Sequence, residues 1–221
     1  MPEIYRNESF KGFTYAVWHI TEPEDYFIPK LQFGDWEKKY FESIRSPKRR
    51  LAWLASRHLL KLVLGTDAFV ELLFDDQGKP YLGNYDVKIS LSHTDNYAAV
   101  IVSKDHEVGI DIEDPSRDIS ILRNKFLSPE ENNQLIHSDL KLELMLYWSA
   151  KEVVYKIYGK RKLEFKDDMF IKPFIISNSG FMKGLLLKHG RVTQYNLYYM
   201  VKPNFCVVVG TNTDIEILGE V

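Results

Sequence analysis

Cysteine is almost missing from this chain: Cys206 is the single one among 221 residues. One thiol can form no internal disulfide and no cysteine-based zinc cluster. It lies in Phe205-Cys206-Val207-Val208-Val209, an apolar run of strand type, and reads as a small core residue rather than a reactive group. Long apolar runs are also missing. No stretch reaches the ~18 residues needed to cross a bilayer. The start, Met1-Pro2-Glu3-Ile4-Tyr5-Arg6, has no apolar segment after a basic one, so no signal peptide is expected. Net charge is nearly absent, with 29 Lys+Arg against 31 Asp+Glu, or −2. That removes whole-chain attraction to nucleic acid and leaves any charged partner to a local patch. There is no His-x-x-x-His pair to suggest zinc. What is present is ordinary globular usage, 45% hydrophobic and 27% charged. A cytoplasmic protein is expected, with no membrane or nucleic-acid partner.

Local patterns predict a chain of alternating helical and strand-rich stretches. Phe13 to Ile20 reads as a strand. A helix is expected from Asp35, taken as its N-cap, to Ile44, with Trp36, Tyr40 and Ile44 on one face. Ser46-Pro47 opens a second helix, since serine caps and proline is tolerated in the first turn, and Gly65 closes it. Strands follow at Val70–Phe74, Val87–Ser92, Tyr97–Ser103 and Val108–Glu113, and Lys104 to Glu107 is read as a turn that folds the last back. Ser128-Pro129-Glu130-Glu131 starts another helix, and Lys141 to Tyr158 forms a long one ending at Gly159. Strands are expected at Phe170–Ile176, Phe181–Leu187, Tyr195–Val201 and Phe205–Gly210. Helices then strands, twice over, make the fold class α+β: two similar α/β halves, each an antiparallel sheet with helices. The boundary falls near Ser103 to Glu107, giving residues 1–104 and 105–221.

Four groups of residues can carry chemistry. In Val108-Gly109-Ile110-Asp111-Ile112-Glu113, a strand's period of two puts the aliphatic residues on one face and Asp111 with Glu113 on the other. Neighbouring carboxylates repel unless a cation sits with them, and a hard divalent ion takes oxygen ligands. On the long helix, Glu152 and Lys156 are four apart and share a side with Trp148. Taken alone this is a surface ion pair; taken with Asp111 and Glu113 it supplies a third carboxylate and a phosphate-neutralising cation. Ser90-Leu91-Ser92-His93 ends a strand, where His93 can meet a phosphate. Lys48, Arg49 and Arg50, at a helix start with Arg57 further on, form a possible anion site. A second basic run is Lys160-Arg161-Lys162 with Lys166.

In this order, the pieces resemble the 4′-phosphopantetheinyl transferase superfamily, in its larger Sfp-type group. The matching residues are Gly109-Ile110-Asp111-Ile112-Glu113 and Trp148-Ser149-Ala150-Lys151-Glu152 with Lys156. Thirty-eight residues separate Glu113 from Glu152, and Gly78-Lys79-Pro80 and Ser92-His93 stand upstream. The resemblance covers Ser46 to Lys166 and implies an intramolecular pseudo-dimer of the two halves. It implies transfer of 4′-phosphopantetheine from coenzyme A to a serine of an acidic acyl or peptidyl carrier protein, with release of 3′,5′-ADP. Asp111, Glu113 and Glu152 would hold Mg²⁺, with Mn²⁺ also open. His93 and Lys156 would contact coenzyme A phosphates, and Ser92 would line the same site. Lys79 and Pro80 would line the adenine end, one of Lys48, Arg49 and Arg50 would take the 3′-phosphate, and Arg57 would assist. Glu152, or a water on the metal, would accept the serine proton. A monomer is expected. Two other readings remain: a non-catalytic binder of coenzyme A or carrier with this fold, and a metal-dependent nucleotide hydrolase.

Overall fold

The computed structural model describes residues 4–135, 139–160 and 162–216. They divide into two compact units, one running to His106 and joined by Glu216, the other spanning Glu107–Ile215.

The first unit holds β1 (Ile4–Asn7), β2 (Phe13–His19), α1 (Glu24–Phe27), α2 (Asp35–Ser43), α3 (Pro47–Leu64), β3 (Leu72–Phe74), β4 (Pro80–Leu82), β5 (Lys88–His93) and β6 (Tyr97–Ser103). Its main sheet has the order β1-β2-β6-β5, antiparallel throughout. Helix α3 lies against β2, β5 and β6 over a core that includes Trp18, Phe27, Leu54, Leu59 and Val100. Ser46 caps α3 by accepting the Arg49 N–H, and Gly65 ends it at φ 67°, a left-handed conformation that glycine adopts without Cβ strain. The N-cap of α2 is Gly34, not Asp35. The face it buries is Glu37 and Phe41, whereas Trp36 and Tyr40 turn toward a cleft.

The second unit holds β7 (Val108–Glu113), α4 (Arg123–Phe126), α5 (Pro129–Gln134), α6 (Leu140–Tyr158), α7 (Phe165–Asp168), β8 (Met169–Ile171), β9 (Ser179–Lys188), β10 (Arg191–Lys202) and β11 (Phe205–Thr211). Its antiparallel sheet runs β7-β11-β10-β9-β8. The residues from Lys104 to Glu107 therefore do not fold β7 back on β6; β7 pairs with β11, nearly a hundred positions later in the chain. The strand expected over Phe170–Ile176 is cut to Met169–Ile171. Asp139 caps α6 through the Leu142 N–H, and Gly159 closes it at φ 67°. Among the described residues no helix is long and apolar enough to cross a membrane.

Two facing glycines set the distance between α6 and its sheet. Gly109 of β7 pairs with Gly210 of β11. A Cβ on Gly109 would lie 2.7 Å from the Val153 carbonyl oxygen, and one on Gly210 would lie 2.8 Å from Val153 Cγ1. Only glycine lets the helix sit this close.

A buried cation then fixes what surrounds α6. Lys151 and Glu131 are both 0% exposed and 2.7 Å apart. The Lys151 ammonium also donates to the carbonyls of Phe126 (2.7 Å), Phe165 (2.8 Å) and Met169 (2.8 Å). Glu131 also accepts the N–H groups of Ser128 (2.8 Å) and Ile171 (2.9 Å). Removing one partner of such a pair leaves an uncompensated buried charge. Lys151→Met should therefore cost about 3–5 kcal/mol in urea denaturation; a loss within error of zero would contradict this account of the pair.

Candidate functional site

On β7, Asp111 and Glu113 share a face with Gly109, and that face is the one α6 covers. The alternation expected of the strand holds, but both sets of side chains are enclosed: Asp111 is 5% exposed and Glu113 9%. The carboxylates lie under a helix rather than on an open sheet face. From that helix, Lys156 donates to Asp111 Oδ1 (2.8 Å) and to the Ile110 carbonyl (2.8 Å). Arg117 donates to both oxygens of Glu113 at 3.0 Å, and the Trp148 indole N–H donates to Glu113 Oε1 at 3.2 Å.

The three acids feel one another. Burial and the Asp111 charge raise the Glu113 carboxyl above its usual range, against the pull of Arg117. Burial, then Asp111, push Glu152 up to about 7, with Glu113 adding to the effect and Lys156 opposing it. Burial, with Asp111 and Glu113 nearby, pushes the Cys206 thiol up to about 12, as suits an inert core residue.

The donor chemistry of this set is all carboxylate oxygen, which fits a hard divalent cation. Among the described residues, no three such groups are drawn into a ready-made metal cluster. Lys156 and Arg117 instead neutralise Asp111 and Glu113. A Mg²⁺ site commonly uses one or two carboxylates and completes its shell with water and substrate phosphate, so the residues fit such an ion.

In the first unit, a cleft of about 620 Å³ gathers Arg57, Pro80, Ser92 and His93. Lys79, Lys48, Arg49 and Arg50 do not line it. Arg57 is held by Glu37 at 3.0 Å and lies flat on Trp53, 3.4 Å from the ring centroid. Burial lowers it to about 10 despite the Glu37 charge. Arg50 is gripped by both oxygens of Glu24 at 2.7 Å and stacks on Phe41. Lys48 reaches Asp95 at 2.9 Å, and Arg49 is exposed. The Gly78-Lys79-Pro80 run is a tight turn between β3 and β4, with Gly78 at φ 86° and the Lys79 N–H donating to Asp75 Oδ1.

The remaining cleft walls include Trp36, Tyr40, Trp53 and Phe74. Helical spacing put Trp36 and Tyr40 on one face with Ile44 but did not show that this face lines a cleft; of the aromatic residues of α2, Phe41 is the buried one.

Carboxylates coupled beneath a helix, with a lysine one turn on, make a site suited to a divalent cation and phosphate. Residues 107–204 match the model of the 4′-phosphopantetheinyl transferase superfamily. The chain is similar to the 4′-phosphopantetheinyl transferase AcpT of Escherichia coli (strain K12), 33% identical over 117 residues, covering 50% of this chain and 59% of the relative. It is also similar to the 4′-phosphopantetheinyl transferase HetI of Nostoc sp. (strain PCC 7120), 30% identical over 127 residues, 51% of this chain and 54% of the relative. The chain thus spans somewhat over half the length of the curated relatives it matches.

The raised Glu152 gives a pH signature. Its folded value, about 7, lies above its ordinary 4.5. The folded state therefore binds the proton more tightly, and stability is lost as pH rises from about 4.5 to about 7. In chelator, Glu152→Gln should denature at a higher urea midpoint than the unsubstituted protein at pH 8, with the gap closing toward pH 4.5. Parallel pH profiles for the two proteins would show that Glu152 is not crowded as described.

Proposed function

We propose that this chain transfers 4′-phosphopantetheine from coenzyme A to a serine hydroxyl of an apo acyl or peptidyl carrier protein. One observation carries the reading: the segment matching the superfamily contains Asp111, Glu113, Glu152 and Lys156, and these same groups are the ones electrostatically coupled around α6. Asp111, Glu113 and Glu152 would hold Mg²⁺ or Mn²⁺, which when bound polarises phosphate oxygens.

The serine oxygen forms a bond to the phosphorus that bears pantetheine. The bond from that phosphorus to the bridging oxygen of the pyrophosphate breaks, and 3′,5′-ADP leaves with the electron pair. The serine proton passes to Glu152, directly or through a water. Lys156 neutralises charge on the pyrophosphate. For coenzyme A, His93 and Ser92 are assigned to phosphate contacts and Pro80 with Lys79 to the adenine end. Of the basic residues opening α3, Arg49 is preferred for the 3′-phosphate, because Glu24 already holds Arg50 through two bonds and Asp95 pairs with Lys48. Arg57, fixed by Glu37, adds positive charge to the cleft wall.

The carrier's acidic surface is assigned to the basic run after α6. Of its members, Lys160, Lys162 and Lys166 are described, and Arg161 lies outside the described residues.

The direct test incubates the protein with coenzyme A, Mg²⁺ and an apo carrier and weighs the carrier. A gain of one phosphopantetheine, abolished by chelator and by omitting coenzyme A, is expected. No gain with several carrier types overturns the assignment. Glu152→Gln should lower turnover by about 10²-fold or more; turnover equal to the unsubstituted protein removes Glu152 from the chemistry. If the basic run meets the carrier, association should slow as salt rises from low to physiological strength, where the screening length is about 8 Å. Salt-independent association places the carrier elsewhere.

A further inference from the structure

Glu113 is aimed by two donors of different kinds. Arg117 reaches it from a half-exposed position with side-chain exposure of 52%. Trp148 reaches it from a packed one, through the indole N–H at 3.2 Å. The indole ring has little freedom. Phe126 meets it edge-on, with centroids 5.4 Å apart and planes at 78°, and Phe165 lies against it at 5.5 Å.

Those two phenylalanines are themselves tied down. Their carbonyls accept from the buried Lys151 ammonium at 2.7 and 2.8 Å. A continuous set of contacts therefore runs from Lys151, through the backbone at Phe126 and Phe165, to their rings, to Trp148, and on to one oxygen of Glu113. A buried tryptophan N–H often finds a partner simply to be satisfied. Here the partner is a carboxylate that its neighbour Asp111 repels, and the indole N–H, together with Arg117, restricts where that carboxylate can point.

We infer that Trp148 is a positioning residue: its indole N–H orients the Glu113 carboxylate for a divalent cation, and Lys151 holds the two rings that hold the indole. This rests on the metal-dependent reading above. A donor behind a metal-binding carboxylate restricts its rotation and tunes its basicity, and loss of such a donor weakens metal binding about tenfold or more. Lys151 itself touches no ligand, since its protons all go to buried acceptors.

The test is Trp148→Phe, which keeps an aromatic ring between Phe126 and Phe165 and removes the N–H donor along with part of the ring, so the thermal midpoint is read beside it. Mn²⁺ is titrated into the full chain, with and without coenzyme A, and bound ion is counted by electron paramagnetic resonance. Thermal midpoints are measured alongside. An Mn²⁺ affinity lowered about tenfold or more at an unchanged midpoint supports the inference. Unchanged affinity, with the unsubstituted protein binding Mn²⁺ normally, overturns it and leaves the metal reading standing. No Mn²⁺ binding by the unsubstituted protein overturns both. A second readout does not depend on the variant folding: in the unsubstituted protein the Trp148 indole N–H resonance should shift as Mg²⁺ is added. A stationary resonance, while others move, overturns the inference.

Discussion

The second unit depends on how closely α6 sits on β7 and β11. The paired Gly109 and Gly210 leave no side chain between sheet and helix, so the Val153 backbone comes down onto the strand. That contact is close-packed, and it has a polar consequence. It places Glu152 and Lys156 beside Asp111 and Glu113, one helix turn spanning the acids and the lysine that neutralises them. Widening the seat by even one methyl would force the helix outward, because packed interiors have no slack to absorb it.

Around that seat the protein encloses charge rather than only hydrocarbon. Lys151 and Glu131 are wholly buried, yet every donor and acceptor they bring is used. A hydrophobic pair of similar volume could hold the same elements together. What the charged pair adds is direction: its hydrogen bonds specify which carbonyls of α4, α7 and β8 face the helix. The acids on β7 are less fully satisfied. Burial first, and then the Asp111 charge, raise both Glu113 of β7 and Glu152 of α6, against the opposing pull of Arg117 and Lys156. Charge crowded beside partly exposed cations differs from charge locked into a scaffold, and the two kinds, Glu152 and Lys151, lie at consecutive positions of α6.

The first unit solves a different problem with similar parts. Its helix α3 carries three arginines and two lysines, and two of the arginines are already engaged. Glu24 holds Arg50 and Glu37 holds Arg57, each over an aromatic ring. Stacking and a carboxylate together fix a guanidinium's plane better than either alone. The aromatic wall of the cleft grows from the same neighbourhood, with Tyr40 in ring contact with both Trp36 and Trp53.

Much of this was legible along the chain. Helix ends at Ser46, Gly65, Ser128 and Gly159 are local events, set by a side-chain oxygen or a left-handed residue, and they fall where the sequence placed them. So does the alternation of β7, because a strand's period is local too. Asp111, Glu113, Glu152 and Lys156 could be named as a group from spacing and resemblance. Other features needed the tertiary structure, because they depend on partners far away in the sequence. Strand β7 joins β11, not its neighbour β6, since the choice of partner is made by whole faces. Gly109 is demanded by a helix more than forty residues later. Trp36 and Tyr40 face a cleft while Phe41 takes the core, which helical periodicity alone does not distinguish. Arg50 and Arg57 are bound by acids 26 and 20 positions away, so a count of basic residues overstated the cations open to a ligand. By itself the sequence determined the local elements, the class α+β and the acids at issue; only the fold decided which faces they meet, because burial and charge pairing are properties of neighbours in space.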